Sequence, residues 1–555
     1  MFKRNSSVVQ ICLLKFIPPS YKTSVLQLLA FVFLASCGAT GSKNDPRVPV
    51  VRDTTVNATN AFLDVFLDSV QVSDFLANAK LPKSDSAEIA DFYKSRNYQF
   101  AWFDKAGLTN QATSFVSLYR NYRNINNDDG LENNKLDTTI DKIMDDSLYL
   151  AANNNERIGT ELGLTRQFFV YSEKAYSGNA SLNPQDLGWF IPKKKINIRS
   201  FLDSVTTNKK GKISDFEPVH PMFTPLHDYL EKYTAFEKNN GWPVIDFKKN
   251  SYSEGDAAPE ITVVKKRLQI VDDLAATDTG SLFTAATVQG VKNFQHRYGF
   301  KEDGVINKKV MAEMNRPVSD RIKQLIVNIE RIRWVPKPGN GRYIVANIPA
   351  FKLYAFDSGK LQFNMNVVVG SQAHNTVVFS DMMETVVFAP YWNVPYSIVK
   401  NEMRGKSASY FSRNNYEITG RYSDGLPQVR QKPGPRNALG RVKFLFPNSY
   451  SIYFHDTPSK GLFEQTYRAA SHGCVRLGEP EKMANWVLSN DANWSPDSVR
   501  QSLQLSKETH IKLRKPIPVF IGYFTAWVDQ QGKLNFRDDI YGHDKEMMER
   551  LFANK

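Results

Sequence analysis

A chain of 555 residues holds material for three or four domains at about 150 residues each, which excludes a single small module. Hydrophobic residues at 42% and charged residues at 23%, with 30 Gly and 27 Pro spread without a low-complexity tract, exclude a fibre or a disordered chain. The net charge of +14 is diffuse, with no long Lys/Arg run, so it favours anionic surroundings without pointing to nucleic acid, and three cysteines cannot build a disulfide framework.

In chain order, residues 1–36 carry Lys3, Arg4, Lys15 and Lys22, no acidic residue, and then the apolar run from Val25 to Ala35. A charged stretch before a short apolar one predicts an export signal and is too short for a confident membrane span. The run ends in Leu34-Ala35-Ser36-Cys37-Gly38, which resembles the lipobox of bacterial lipoproteins. That resemblance implies that Cys37 becomes the lipidated first residue of the mature chain and anchors it to a membrane. The protein would then face the periplasm, with Gly38 after Cys37 favouring the outer membrane over the inner. Cys12 leaves with the signal, so Cys474 is the one free thiol.

Residues 37–57 are polar and aperiodic, as expected of a tether. From 58 to 250 the patterns predict helices. Asp64 to Val70 and Gln111 to Tyr119 space apolar residues three and four apart, and no catalytic constellation is visible there. Asp91 to Tyr98, Ala101-Trp102-Phe103 and Asp129-Gly130-Leu131 resemble the helical scaffold domain of large YcbB-type L,D-transpeptidases.

Residues 255–318 form a tidier unit. Val263, Val264, Leu268 and Gln269 share one predicted helix, Phe283, Thr287, Val291, Phe294 and Gln295 a second, and Asp303-Gly304-Val305-Ile306 turns into a third over Lys308 to Met314. The pattern resembles the three-helix peptidoglycan-binding module. Most of its residues serve core and turn, so it reports a fold first and a ligand second.

From Arg342 the period becomes that of strands, at Tyr343 to Pro349, Lys352 to Phe356, Asn364 to Gly370, Thr385 to Phe388 and Ser451 to Phe454. Between them, residues 397–440 are rich in Arg, Ser, Asn, Gly and Pro and predict an insertion that caps one end of the sheet. The expected architecture is multidomain α+β, with a helical scaffold, a three-helix module and a mostly β domain over 320–555.

The chemistry is concentrated in His455-Asp456-Thr457-Pro458-Ser459-Lys460 and Ser471-His472-Gly473-Cys474-Val475-Arg476, where one histidine lies nineteen residues before Cys474 and another two before it. A thiol near pKa 8.5 is mostly protonated at neutral pH, so a cysteine nucleophile needs a neighbouring imidazole. One histidine must take the thiol proton and the other is free to line the pocket. A zinc reading through His455, His472 and Cys474 lacks the carboxylate that would activate water, so no metal and no cofactor is expected. Asp456 follows a histidine directly and points away from it on a strand, so it is left out of the site. His220 and His510 have no partner spacing.

The His and the Ser-His-Gly-Cys-x-Arg run are those of the YkuD-type L,D-transpeptidases. Pro390-Tyr391-Trp392-Asn393-Val394-Pro395, Pro433 to Gly440, Phe444 to Asn448 and Thr525 to Asp529 resemble the YcbB branch. The resemblance implies Cys474 as nucleophile and His455 as its base, oriented by a backbone carbonyl. It also implies His472 in the pocket, the Gly473 and Cys474 amides as oxyanion donors, and Arg476 gripping a substrate carboxylate. Tyr453, Trp392, Tyr391 and Asn393 would be pocket walls. The implied reaction is attack by Cys474 on the L,D-amide of a peptidoglycan tetrapeptide stem with loss of D-Ala, then transfer of the thioester to an amine of a neighbouring stem, which links two diaminopimelates. An L,D-carboxypeptidase and a non-catalytic wall-binding lipoprotein are the rival readings.

Overall fold

The computed structural model describes residues 50–52, 55, 66–104, 107–126, 129–145, 154–179, 181–193, 196–208 and 211–552. The predicted signal (1–36), the lipidation residue Cys37 and nearly all of the predicted tether lie outside them. No helix among the described residues is long and apolar enough to cross a membrane.

The first domain gathers helices around an aromatic core. Helix α1 (Asn154–Tyr176) runs through it, and Trp102, Phe115 and Phe168 pack on one another with Tyr171 and Phe201. A buried carboxylate organises one wall: Glu161 accepts from the Ala101 and Trp102 amides and from the Tyr93 hydroxyl. The expected helix over Asp64 to Val70 begins at Ser69. Asp68 accepts from the Val70 amide as its N-cap, while Phe66 bridges Gln99 in extended form. A second scaffold helix, α2 (Phe223–Lys238), closes this region.

The three-helix module comprises α3 (Pro259–Ile270), α4 (Ala285–Tyr298) and α5 (Lys308–Met314). Phe283 falls before α4, because Thr284 caps that helix by accepting from the Thr287 amide. The Gln295 side chain accepts from the Gly304 amide and donates to Asp303 and to the Val305 carbonyl. This bonding explains why a glutamine on α4 accompanies an Asp-Gly-Val turn, since Gly304 has φ of 76°. Helix α6 (Val318–Trp334) then crosses against α2 and leads into the sheet.

The expectation of helices between 58 and 250 is corrected at Trp189–Phe190, here β1, a strand that pairs in parallel with Val378 and Phe379 of the main sheet. Two residues are too few for a period to be read. The sheet continues with β2 (Tyr343–Asn347), β3 (Lys352–Asp357), β4 (Lys360–Gly370) and β5 (Val378–Phe388).

The insertion expected at 397–440 starts earlier and carries secondary structure of its own. Strands β6 (Trp392–Asn393), β7 (Tyr416–Arg421) and β8 (Pro427–Gln431) form a separate three-stranded sheet, and a π-helical turn spans Val399–Met403. Val394, Ile398, Val399, Met403, Phe411 and Val429 give this cap its own small core.

Strands β9 (Val442–Leu445), β10 (Phe454–His455), β11 (Ala469–Ser471), β12 (Val475–Leu477) and β13 (Thr509–Gly522) complete the main sheet. Its path runs β9, β10, β12, β4, β3, β2, β13, β5, and β5 also pairs with β9, so the sheet closes on itself. The strand expected from Ser451 starts only at Phe454, because Ser451 adopts a left-handed conformation with φ of 57°. Helix α7 (His543–Leu551) packs on α6, where Asp544 meets Arg331 in a buried ion pair.

Candidate active site

The site is set by two short parallel strands. Phe454 is level with Val475 and His455 with Arg476. Phe454 and Val475 are fully buried, each contributing about 1.5–3 kcal/mol of apolar burial. Side chains alternate along a strand, so His455 and Arg476 share the opposite face, and Tyr453 and Cys474, each one residue before its strand, flank them to complete a block of four. The Tyr453 phenol and the Cys474 thiol are neighbours. The Tyr453 and His455 rings lie 5.7 Å apart, and the Val475 amide donates to the Tyr453 carbonyl at 3.3 Å.

Cys474 arrives at this block through a tight turn. Gly473 has φ of 108°, a conformation that side-chain-bearing residues rarely adopt. The Ser471 hydroxyl donates to the Cys474 carbonyl at 2.6 Å and accepts from the Gly473 amide at 3.2 Å. Thr376 donates to the Gly473 carbonyl at 2.8 Å and accepts from the Gly370 amide, and the Tyr541 hydroxyl donates to the Gly370 carbonyl. The Gly473 amide, expected as an oxyanion donor, is thus engaged inside its own turn. The thiol itself points at the Ser451 carbonyl, 3.6 Å from Sγ.

Electrostatics favour an uncharged pair. Burial, then the positive charge of Arg476, pushes the His455 imidazole down to about 4. Burial raises the Cys474 thiol, with Tyr453 and Arg476 opposing it. Burial, and next the Cys474 charge, raises the Tyr453 phenol. His455 Nδ1 faces the Asp456 backbone carbonyl, which can only accept, so the neutral ring keeps its proton on Nδ1 and presents an Nε2 lone pair. The Asp456 carboxylate turns elsewhere, to Lys460, the Arg441 amide and the Thr457 amide. Arg476 is lowered by burial, and its Nε is buried without a hydrogen-bond partner.

The remaining expected residues lie at different distances from this block. His472 is half-exposed, bonds Glu402 of the cap through Nε2 at 3.2 Å, and meets the His374 ring at 4.7 Å. Tyr391, Trp392 and Asn393 form the root of the cap. Tyr391 lies under the Arg430 guanidinium at 4.1 Å and its amide donates to Glu508. Trp392 packs towards Tyr416 and the cap core, and Asn393 is exposed. Ser451, Thr376, Tyr541 and Glu402 were not legible in advance. Ser471 stands in the motif, but its hydrogen bonds had no sequence signal.

Residues 341–508 match the YkuD family, described as "L,D-transpeptidase catalytic domain"; residues 87–230 match "Scaffold domain" and residues 257–314 "Putative peptidoglycan binding domain". A curated relative from Haemophilus influenzae, named "Putative L,D-transpeptidase", is 32% identical over 247 residues, which are 41% of this chain and 50% of the relative. The chain thus spans about half the length of that relative. Among solved structures, an L,D-transpeptidase from Xylanimonas cellulosilytica is 15% identical, covers 50% of this chain and 99% of its own, and has a TM-score of 0.17. One from Stackebrandtia nassauensis is 13% identical, with 50% and 97% covered and a TM-score of 0.22.

Proposed function

For a chain that carries a YkuD-family L,D-transpeptidase catalytic domain beside a scaffold domain and a peptidoglycan-binding domain, we propose a peptidoglycan L,D-transpeptidase with Cys474 as nucleophile and His455 as base. The observation that supports this reading is the pairing of β10 with β12, which sets His455, two residues after Tyr453, level with Arg476, two residues after Cys474, with the Tyr453 ring 5.7 Å from the His455 ring.

The resting pair is neutral. His455 Nε2 takes the Cys474 proton as Sγ attacks the carbonyl of the stem's third residue, and the imidazolium then protonates the departing D-Ala amine. With the Gly473 amide engaged, the Cys474 amide and the Arg476 guanidinium are the donors best placed for the developing oxyanion or the adjoining carboxylate. An amine from a second stem resolves the thioester, joining two diaminopimelate residues, and the cap limits access of water. Cys37 supplies a lipid anchor at the periplasmic face of the envelope, with the outer membrane favoured. Peptidoglycan stems serve as donor and acceptor.

The test is incubation of the purified protein with disaccharide-tetrapeptide, followed by mass. A dimer that has lost one D-Ala is expected, and Cys474→Ala should abolish it. Tripeptide alone would establish the carboxypeptidase instead, and unchanged substrate with folded protein would leave the wall-binding lipoprotein. Incorporation of labelled palmitate, lost in Cys37→Ala, tests the anchor.

A further inference from the structure

Resting on that reading, we infer that Glu402 of the cap is the positioning residue for the acceptor ammonium and so decides between transfer and hydrolysis. The second half-reaction sets a charge problem that the block on the sheet does not solve. The acceptor amine is an ammonium in solution, and the nearest cation to the nucleophile is Arg476, whose Nε is buried and unpartnered. A cationic acceptor needs an anion beside the thioester. Asp456 cannot serve, because its carboxylate is taken up by Lys460 and two backbone amides. Glu508 is similarly held, by Lys443, His510 and the Tyr391 amide.

Glu402 is differently placed. It sits in the π-helical turn Val399–Met403, where Val399 and Met403 are buried in the cap core, so the turn is anchored from below and presents its carboxylate outward. Oε1 meets His472 Nε2 at 3.2 Å, two residues from Cys474, and both side chains are about half exposed. The half-exposed carboxylate is open to an ammonium from solvent. A π-turn widens the helix by one residue, and such turns recur where a side chain must be aimed.

The step balances without a co-reactant. The ammonium docks on Glu402 and loses one proton to solvent before attack. The amine nitrogen then forms the C–N bond, the C–S bond breaks, and the second nitrogen proton reaches Sγ through His455, restoring the thiol. Water, being uncharged, gains nothing from Glu402.

The experiment compares full-length wild type, Glu402→Gln and Glu402→Asp on disaccharide-tetrapeptide, reading D-Ala release in a single turnover and the ratio of dimer to tripeptide at steady state. Glu402→Gln should keep the D-Ala burst, lower the dimer-to-tripeptide ratio about tenfold and raise the acceptor KM to match, as expected for loss of one charge-assisted hydrogen bond. Glu402→Asp should recover part of the ratio. An unchanged ratio, or a fall in D-Ala release equal to the fall in dimer, overturns the assignment. A wild type that releases no D-Ala fails at the earlier step and removes the transferase reading itself.

Discussion

The catalytic sheet meets the rest of the chain at two seams of opposite character. Towards the scaffold, β1 adds a strand directly to β5, and the buried Arg331–Asp544 pair is tied to Thr525, which Asn328 of α6 holds at 2.8 Å through Nδ2 and at 2.9 Å through Oδ1. Towards the cap, the link beside the nucleophile is one half-exposed contact, Glu402 with His472, while the cap core is separate from the main one. A dry, fully bonded seam fixes geometry, whereas a half-exposed contact such as Glu402 with His472 can open at little cost. The floor of the site is built on the first kind of joint and its roof on the second.

The largest effect expected from breaking this contrast is beside the scaffold seam, where α7 is pinned to α6. Asp544→Ala leaves Arg331 charged and unpaired in the interior and should cost about 3–5 kcal/mol, seen as a fall in the main unfolding midpoint. Met403→Ala should remove about 2–5 kcal/mol from the cap core. That loss should appear as faster hydrogen exchange confined to residues 392–431, with the main midpoint unchanged. If Met403→Ala lowered the main midpoint as Asp544→Ala does, the two seams would be one.

The smallest effect concerns charge. Because His455 titrates near 4 when folded and higher when unfolded, the unfolded chain binds its proton first as pH falls. Stability contributed by the neutral ring is therefore complete above the unfolded value and declines towards 4. Activity should persist at mildly acid pH, where an ordinary imidazole is already charged, with the acid limb near 4. Arg476→Gln should move the imidazole titration upward, read by NMR of the His455 ring, since a positive neighbour is lost.

Much of this architecture was legible beforehand, for reasons that differ by element. The three-helix module announced itself through periodic apolar residues and the Gln295 and Asp-Gly-Val pairing, and the strands from Tyr343 onward through β-branched runs. Strand β1 was hidden because its identity as a strand comes from β5 and not from its own two residues. The left-handed Ser451 gave no local signal, since serine seldom takes that conformation and only the neighbouring chain explains it. Cys474 and His455 stood out by spacing and Tyr453 and Arg476 by resemblance, and the strand register sets His455 level with Arg476. Tyr391, Trp392 and Asn393, chosen from the same resemblance, lie at the root of the cap. The Glu402 contact joins residues seventy positions apart and exists only after the cap has folded.

One feature of the sheet bears on biogenesis. Strand β13, Thr509–Gly522, lies between β2 and β5 and pairs with both, although it is the last long strand to be synthesised. Until it arrives, the half of the sheet built on β2, β3 and β4 lacks its connection to β5 along that side, and the scaffold's β1 has only an isolated edge to join. The closed sheet, and with it a properly held thiol, therefore forms late in the life of the nascent chain. A product ending at residue 508 would retain every side chain of the proposed chemistry yet expose two unpaired strand edges, and should be recovered as aggregate rather than as a smaller enzyme.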